Sequence, residues 1–277
     1  MIVYGALASV SVGGLFLAGI IPGILVGLAL MSVVYIQSLS VSRHPELQKS
    51  GQRFSLMRCL RSLVDVWAAL VAPVIIVAGI LGGVFTATES GVVACVFAFL
   101  VSFFLYRTIT LRDLPQIFVQ AAITTAMVLG IVGIASGFGW LLSYLNFNQM
   151  ILAAIMATTQ DPTAVFLLLV AVMLILTMFV DSMAVLIITV PIAVHIGHAV
   201  GINDLQLGLA LVMATQIGST TPPVAVLLFV ASSIAKCPYS ETVRYSWSFI
   251  AAEIVALLLV VFFEPLTVAI PSYVFGN

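Results

Sequence analysis

All nine lysines and arginines of this chain fall in three short stretches, residues 43–61, 107–112 and 236–244. Between them run long apolar segments broken by few charges. A chain laid out this way cannot cover itself for water. A soluble domain uses about 25% charged residues on its surface; here they make up 7%, against 63% hydrophobic. Crossing ~30 Å of hydrocarbon takes ~20 apolar residues. The chain therefore reads as an all-α polytopic membrane protein whose outer surface faces a lipid bilayer. A net charge of -1 leaves no basic face to neutralise phosphates, which argues against nucleic acid as a partner. Cys59, Cys95 and Cys237 lie too far apart for metal or redox spacing and read as small apolar packers. The first cation is Arg43, so no basic region of the signal-peptide kind precedes the opening apolar stretch.

Length and hydropathy predict spans over 11–38, 63–82, 90–106, 115–142 and 246–270, with a polar loop over 39–62. Cations are retained on the cytoplasmic side, which places the three cationic segments together on that side. The chain between the second and third segments must then cross an odd number of times. Span 115–142 ends at Trp140, Tyr144 and Phe147, an aromatic cluster of interfacial type. Parity is met if 147–159 lies at the outer face, 163–200 is a re-entrant hairpin and 205–235 is a single broken transmembrane helix. The arms 205–217 and 224–235 each reach ~20 Å at ~1.5 Å per residue. The expected fold is a helical bundle with these two interrupted elements.

The break carries the chemistry. In Gly218-Ser219-Thr220-Thr221-Pro222-Pro223, two prolines remove two backbone donors and bar the preceding residue from the helix. Carbonyls freed at membrane depth are tolerated only where they line a cavity or bind something. Together with the hydroxyls of Ser219, Thr220 and Thr221 they form hard oxygen ligands suited to Na+, with Gly218, Thr220 and Thr221 as the candidate ion ligands. The half-helix beginning near Val224 would turn its positive end toward an anionic group. A proline kink without a ligand is the plainer alternative. Asp181, beside Ser182, sits inside a long apolar stretch, where a carboxylate by default suggests function. It reads either as the tip of the hairpin or as a short wet loop between two full spans.

A third segment, Gly82 to Ser90, reads as a glycine-rich helix end at Gly83 followed by a cap, with Thr86 or Thr88 as N-cap and Glu89 favouring the new N-terminus. His195 and His198 share a helix face without a carboxylate at ligand spacing, which argues against a metal site. Glu253 and Glu264 fall in the final span. No phosphate-binding G-x-x-x-x-G-K-[ST] and no H-E-x-x-H occurs, and no catalytic residues are assigned.

At these motifs the sequence resembles the large membrane (permease) subunit of tripartite ATP-independent periplasmic (TRAP) transporters. G-G-V-F-T-A-T-E-S at 82–90 resembles the family's G-x-F-T-x-T-E-A, and I-G-S-T-T-P-P-V at 217–224 its I-G-x-x-T-P-P-V. L-F-L-A-G-I-I-P-G at 15–23, and F-V-D-S-M-A at 179–184 followed by Pro191-Ile192, are similar to other recurring runs. The likeness runs in order along essentially the whole chain. Ala87 stands at a frequent proline and Ala225 at a frequent glycine.

The resemblance implies a sodium-driven importer of small organic acid anions, of the dicarboxylate or sugar-acid class, in the bacterial inner membrane. It implies a periplasmic substrate-binding protein and a small membrane subunit as partners, Na+ as coupling ion and no other cofactor. The family fold has two inverted repeats, so residues 1–62 would close the first repeat and 63–277 form the second. In that fold Asp181-Ser182 at the hairpin tip and Ser219–Pro223 in the broken helix would form one sodium clamshell. The first repeat's own hairpin and Pro-Pro break would lie upstream of the 15–23 run, and this sequence is expected to lack them. A non-transporting scaffold subunit, and an intramembrane hydrolase using Ser136 with His195 or Asp181, are the rival readings.

Overall fold

The computed structural model describes residues 1–39, 57, 61, 66–159 and 161–276. The expected boundary between 62 and 63 lies outside the described residues, as do Arg43, Lys49, Arg53, Arg58 and Cys59. So do the side chains of Ser136 and Phe147. Every regular element among the described residues is helical. Two compact units form, one from residues 1–39 with 128–277 and one from 40–127.

In the smaller unit, α4 (Trp67–Leu81) packs on α5 (Ala87–Leu100), and α5 runs on into a π turn (Val101–Leu105). The reversal between α4 and α5 is built from Gly83, at φ 64, and a reciprocal cap. Thr86 Oγ1 accepts from the Glu89 amide at 3.3 Å, while Glu89 Oε2 accepts from the Thr86 amide and hydroxyl, both at 2.8 Å. The Glu89 carboxylate is thus taken up by the cap. Thr88 reaches the Thr86 hydroxyl, at 3.2 Å. The helix α6 (Leu114–Tyr144) starts in this unit.

The larger unit contains three N-terminal helices, α1 (Ile2–Ala8), α2 (Val12–Ala18) and α3 (Ile20–Leu39). It also holds α7 (Phe147–Thr158), α8 (Pro162–Thr177), α9 (Ser182–Val200), α10 (Asp204–Thr220), α11 (Val226–Ala235), α12 (Tyr239–Phe262) and α13 (Pro265–Phe275). Its centre is α10, which touches α2, α8, α9, α11, α12 and α13. Leu207, Leu209, Leu211, Ala214 and Ile217 are buried around its circumference, as expected of a helix apolar on every face. Two glycines let neighbours approach its backbone. A Cβ at Gly208 would run into the ring of Tyr4, and one at Gly218 into Thr177 Oγ1 and the Leu174 carbonyl.

The last predicted span, 246–270, is corrected. The helix starts at Tyr239, ends at Phe262, and is followed by the separate α13. Pro265 brings no N–H, so the Val261 carbonyl four residues earlier loses its helical donor. Gln206 of α10 replaces it, donating from Nε2 to the carbonyls of Val260 at 2.9 Å and Val261 at 3.1 Å. Among the described residues five stretches are long and apolar enough to cross a membrane: Val12–Leu39, Ala87–Leu105, Leu114–Ile134, Ser182–Val200 and Tyr239–Phe262. By contrast α8 has 16 residues, ~24 Å of helix, which falls short of ~30 Å of hydrocarbon.

The Tyr4–Gly208 contact generates a test. Gly208→Ala is expected to destabilise the protein by about 1–3 kcal/mol through overpacking. Adding it to Tyr4→Ala should cost less than adding it to the native chain. Thermal midpoints in detergent decide: strictly additive losses would show that the ring does not press on this glycine.

Candidate functional site

Helix α8 ends at Thr177, and the chain turns through residues 178–181 into α9, so 162–200 forms a helical hairpin. Asp181 is the N-cap of α9. Its Oδ1 accepts from the amides of Met183 at 3.0 Å and Ala184 at 3.3 Å, which satisfies donors that a helix start leaves open. Beside it, the Ser182 hydroxyl hydrogen-bonds the Ser219 hydroxyl on α10 and lies 3.3 Å from the Thr215 carbonyl. The Ser219 hydroxyl in turn donates to the Thr215 carbonyl at 2.8 Å. The hairpin tip is therefore pinned to the last turns of α10 by two hydroxyls sharing one carbonyl.

The break itself is shorter and later than the sequence predicts. Gly218, Ser219 and Thr220 stay helical, and the chain unwinds only from Thr221 to Ala225. The reason is local. Proline fixes its own φ and excludes the residue before it from the helix, and Thr221 accordingly sits at φ −92, ψ 131. The prolines' missing amides are felt four residues earlier, at carbonyls that are still helical. The Gly218 carbonyl accepts from the Thr221 amide instead, at 3.0 Å. Ile217 O accepts from the hydroxyls of Thr220 at 2.8 Å and Thr221 at 2.6 Å. No donor to the Ser219 carbonyl is present among the described residues. The far side of the break is held by Tyr239, whose hydroxyl donates to the Val224 carbonyl at 3.2 Å and whose ring lies 4.6 Å from that of Phe229. Ala225, buried, then turns the chain into α11 at φ 45, a left-handed conformation that suits glycine.

Tip and break enclose a cavity of about 180 Å³. It brings together Asp181, Ser182 and Ser219 of the predicted residues, and adds Thr177, Gln216 and the Val224–Ala225 corner. Gly218, Thr220, Thr221, Pro222 and Pro223 are not among its walls. Gly218 faces Thr177 as a packing contact, and the two threonines turn their hydroxyl protons back on Ile217. Gly83, Thr86, Thr88 and Glu89 belong to the smaller unit, where they form the cap described above. The cavity's charge comes from Asp181 alone; its other polar groups are hydroxyls and an amide. Helix α11 starts beside it without a side-chain cap, so its first amides keep free donors and the positive helix end. Among the described residues no three His, Cys, Asp or Glu side chains converge. His198 has a partner the sequence reading missed: its Nε2 lies 2.6 Å from Asp204 Oδ1 across the turn between α9 and α10.

Gln216 and Tyr239 were absent from the sequence-based candidates. Gln216 could have been found as an amide in an apolar run little more than one helical turn before the break. Nothing local marks Tyr239, because its partner lies fifteen residues earlier.

Residues 1–266 match the family model described as the tripartite ATP-independent periplasmic transporter, DctM component. The chain is similar to the sialic acid TRAP transporter large permease protein SiaM of Vibrio cholerae, with 31% identity over 276 residues, 100% of this chain and 64% of that one. It is 33% identical over 273 residues to the C4-dicarboxylate TRAP transporter large permease protein DctM of Pseudomonas aeruginosa, covering 99% and 63%. It is 31% identical over 277 residues to the ectoine TRAP transporter large permease protein TeaC of Halomonas elongata, again covering 99% and 63%. The chain thus spans about 63% of the length of the curated relatives it matches.

The corner at Ala225 can be probed directly. A left-handed non-glycine residue costs roughly 1–2 kcal/mol, while a new glycine adds roughly 0.4–1 kcal/mol of unfolded-chain entropy. Ala225→Gly is therefore expected to raise the thermal midpoint slightly and Ala225→Val to lower it. A lower midpoint for the glycine variant would mean that the corner carries no strain.

Proposed function

Since the chain belongs to the DctM component family of tripartite ATP-independent periplasmic transporters, we propose that it works as part of the large permease subunit of a sodium-coupled importer of small organic acid anions. It is a multi-pass protein of the inner membrane. In this reading residues 1–62 end a first repeat and 63–277 form a second, inverted one. A periplasmic binding protein delivers the substrate, and a small membrane subunit completes the complex. The relatives are permeases, so the hydrolase reading built on Ser136 is set aside.

The observation that carries the proposal is the cavity between tip and break. Its polar walls are hydroxyls, one side-chain amide and one carboxylate, whose oxygens suit a hard monovalent cation. Ser219, whose carbonyl loses its helical donor to Pro223, is one of the cavity's walls. The Na+ ligands we assign are therefore Ser182, Ser219 and the end of α10, with Thr220 and Thr221 setting the carbonyl directions. The uncapped start of α11 offers amides to the carboxylate of a substrate. One further fact favours a re-entrant hairpin: α8 is too short to cross alone, so a pair of full spans would have to rest on α9 by itself. Relatives named for sialic acid and C4-dicarboxylate support the acid class, and the one named for ectoine widens the range of cargo.

Uptake of a radiolabelled organic acid by proteoliposomes holding the assembled transporter tests this. An inward sodium gradient should drive accumulation, and replacing Na+ by K+ should abolish it. Ser182→Ala/Ser219→Ala should weaken sodium activation about tenfold or more, as expected when ligand oxygens are lost from a buried polar site. Equal uptake in both salts would rule out sodium coupling. Unchanged sodium activation in the double variant would move the ion elsewhere.

A further inference from the structure

The smaller unit carries a feature that lies outside the candidate site described above. Ala87–Leu105 and Leu114–Ile134 are each long and apolar enough to cross a membrane. The eight residues between them are therefore held at the boundary between hydrocarbon and water. This connection is folded rather than extended. After the π turn, the Tyr106 amide donates to the Val101 carbonyl at 2.9 Å, and the Thr108 amide to the Ser102 carbonyl, also at 2.9 Å. Arg107 between them is left-handed, at φ 51. The result is an open concavity of about 570 Å³ lined by Phe103, Arg107, Ile109, Thr110, Leu111 and Arg112.

Two arginines, both exposed, thus line one hollow. The single carboxylate of this stretch, Asp113, is turned onto Thr110 instead, its Oδ2 accepting from the amide at 2.8 Å and the hydroxyl at 2.7 Å. No carboxylate pairs with Arg107 or Arg112 among the described residues. Guanidinium forks match phosphate oxygens in bidentate geometry. Phe103, Ile109 and Leu111 supply an apolar wall for the part of the ligand that continues into hydrocarbon. A free phosphate would have no use for that wall.

We propose that this hollow binds the headgroup phosphate of an anionic phospholipid through Arg107 and Arg112. The left-handed turn at Arg107 sets the two cations on one ligand, and the depth fixed by the flanking helices is that of lipid phosphates.

The test uses the full chain in nanodiscs of mixed phosphatidylglycerol and phosphatidylcholine, with retained lipid counted by native mass spectrometry after gentle detergent release. The native protein should retain phosphatidylglycerol selectively. Arg107→Ala/Arg112→Ala should reduce that retention roughly tenfold, with helicity by circular dichroism unchanged, while Arg107→Lys/Arg112→Lys, which keeps the charges and loses the forks, should retain an intermediate amount. If the alanine pair does not fold, Arg112→Gln alone, which leaves the left-handed residue in place, should show the same direction of loss. Retention equal to native in the alanine pair or in Arg112→Gln would overturn the proposal. So would displacement of the lipid by millimolar inorganic phosphate, which would assign the hollow to the free ion.

Discussion

Ending a helix inside an apolar bundle leaves carbonyls without donors, and in hydrocarbon no water replaces them. The architecture of the larger unit answers that problem at two places. At the end of α10, Pro222 and Pro223 remove the donors owed to Gly218 and Ser219, and the hydroxyls of Thr220 and Thr221 take over Ile217 while the Thr221 amide takes Gly218. At the end of α12, Pro265 removes the donor owed to Val261, and the Gln206 amide crosses from α10 to supply it. Both repairs involve the same central helix, one at each end. Substitutions in α10 therefore act on two breaks as well as on the core they share.

The glycines of α10 belong to the same logic. Membrane helices gain little from burying apolar surface against one another, so close backbone approach and dispersion contacts carry more of the association. Tyr4 seated on Gly208 and Thr177 on Gly218 bring α1 and α8 into contact with α10 at opposite ends of its length. The second contact also fixes where the hairpin tip arrives. With Thr177 against Gly218, Ser182 comes within reach of Ser219, and the cavity is enclosed by packing as much as by hydrogen bonds.

Much of this was legible in the residues. Apolar run length and the placement of cations marked the helical membrane class, and the two prolines marked an interruption. Thr86 or Thr88 with Glu89 marked a helix start, and the structure gives the cap to Thr86. What escaped was geometry that depends on partners distant in sequence. The exact start of the break follows from a rule about the residue before proline, but the rescue of Ile217 by two hydroxyls needs the folded turn. The single span drawn over 246–270 failed because Glu264-Pro265 was weighed by hydropathy rather than as a helix stop. Asp181 drew attention as a carboxylate in apolar sequence, yet its first task is to cap α9, a role its position just before an apolar run already allowed.

Helix α11 is bounded on both sides by left-handed residues that are not glycine, Ala225 at φ 45 and Lys236 at φ 53. Its near end is gripped by Tyr239, which comes from the chain just past its far end. Ten residues of rigid rod are thus slung between two elbows, with a strap joining the exit to the entrance. Such an element has few internal ways to bend. The Val224 corner is thereby tied directly to the first turn of α12, the helix that also carries Arg244, so the entrance of α11 and the charged segment after its exit are joined by a single hydroxyl.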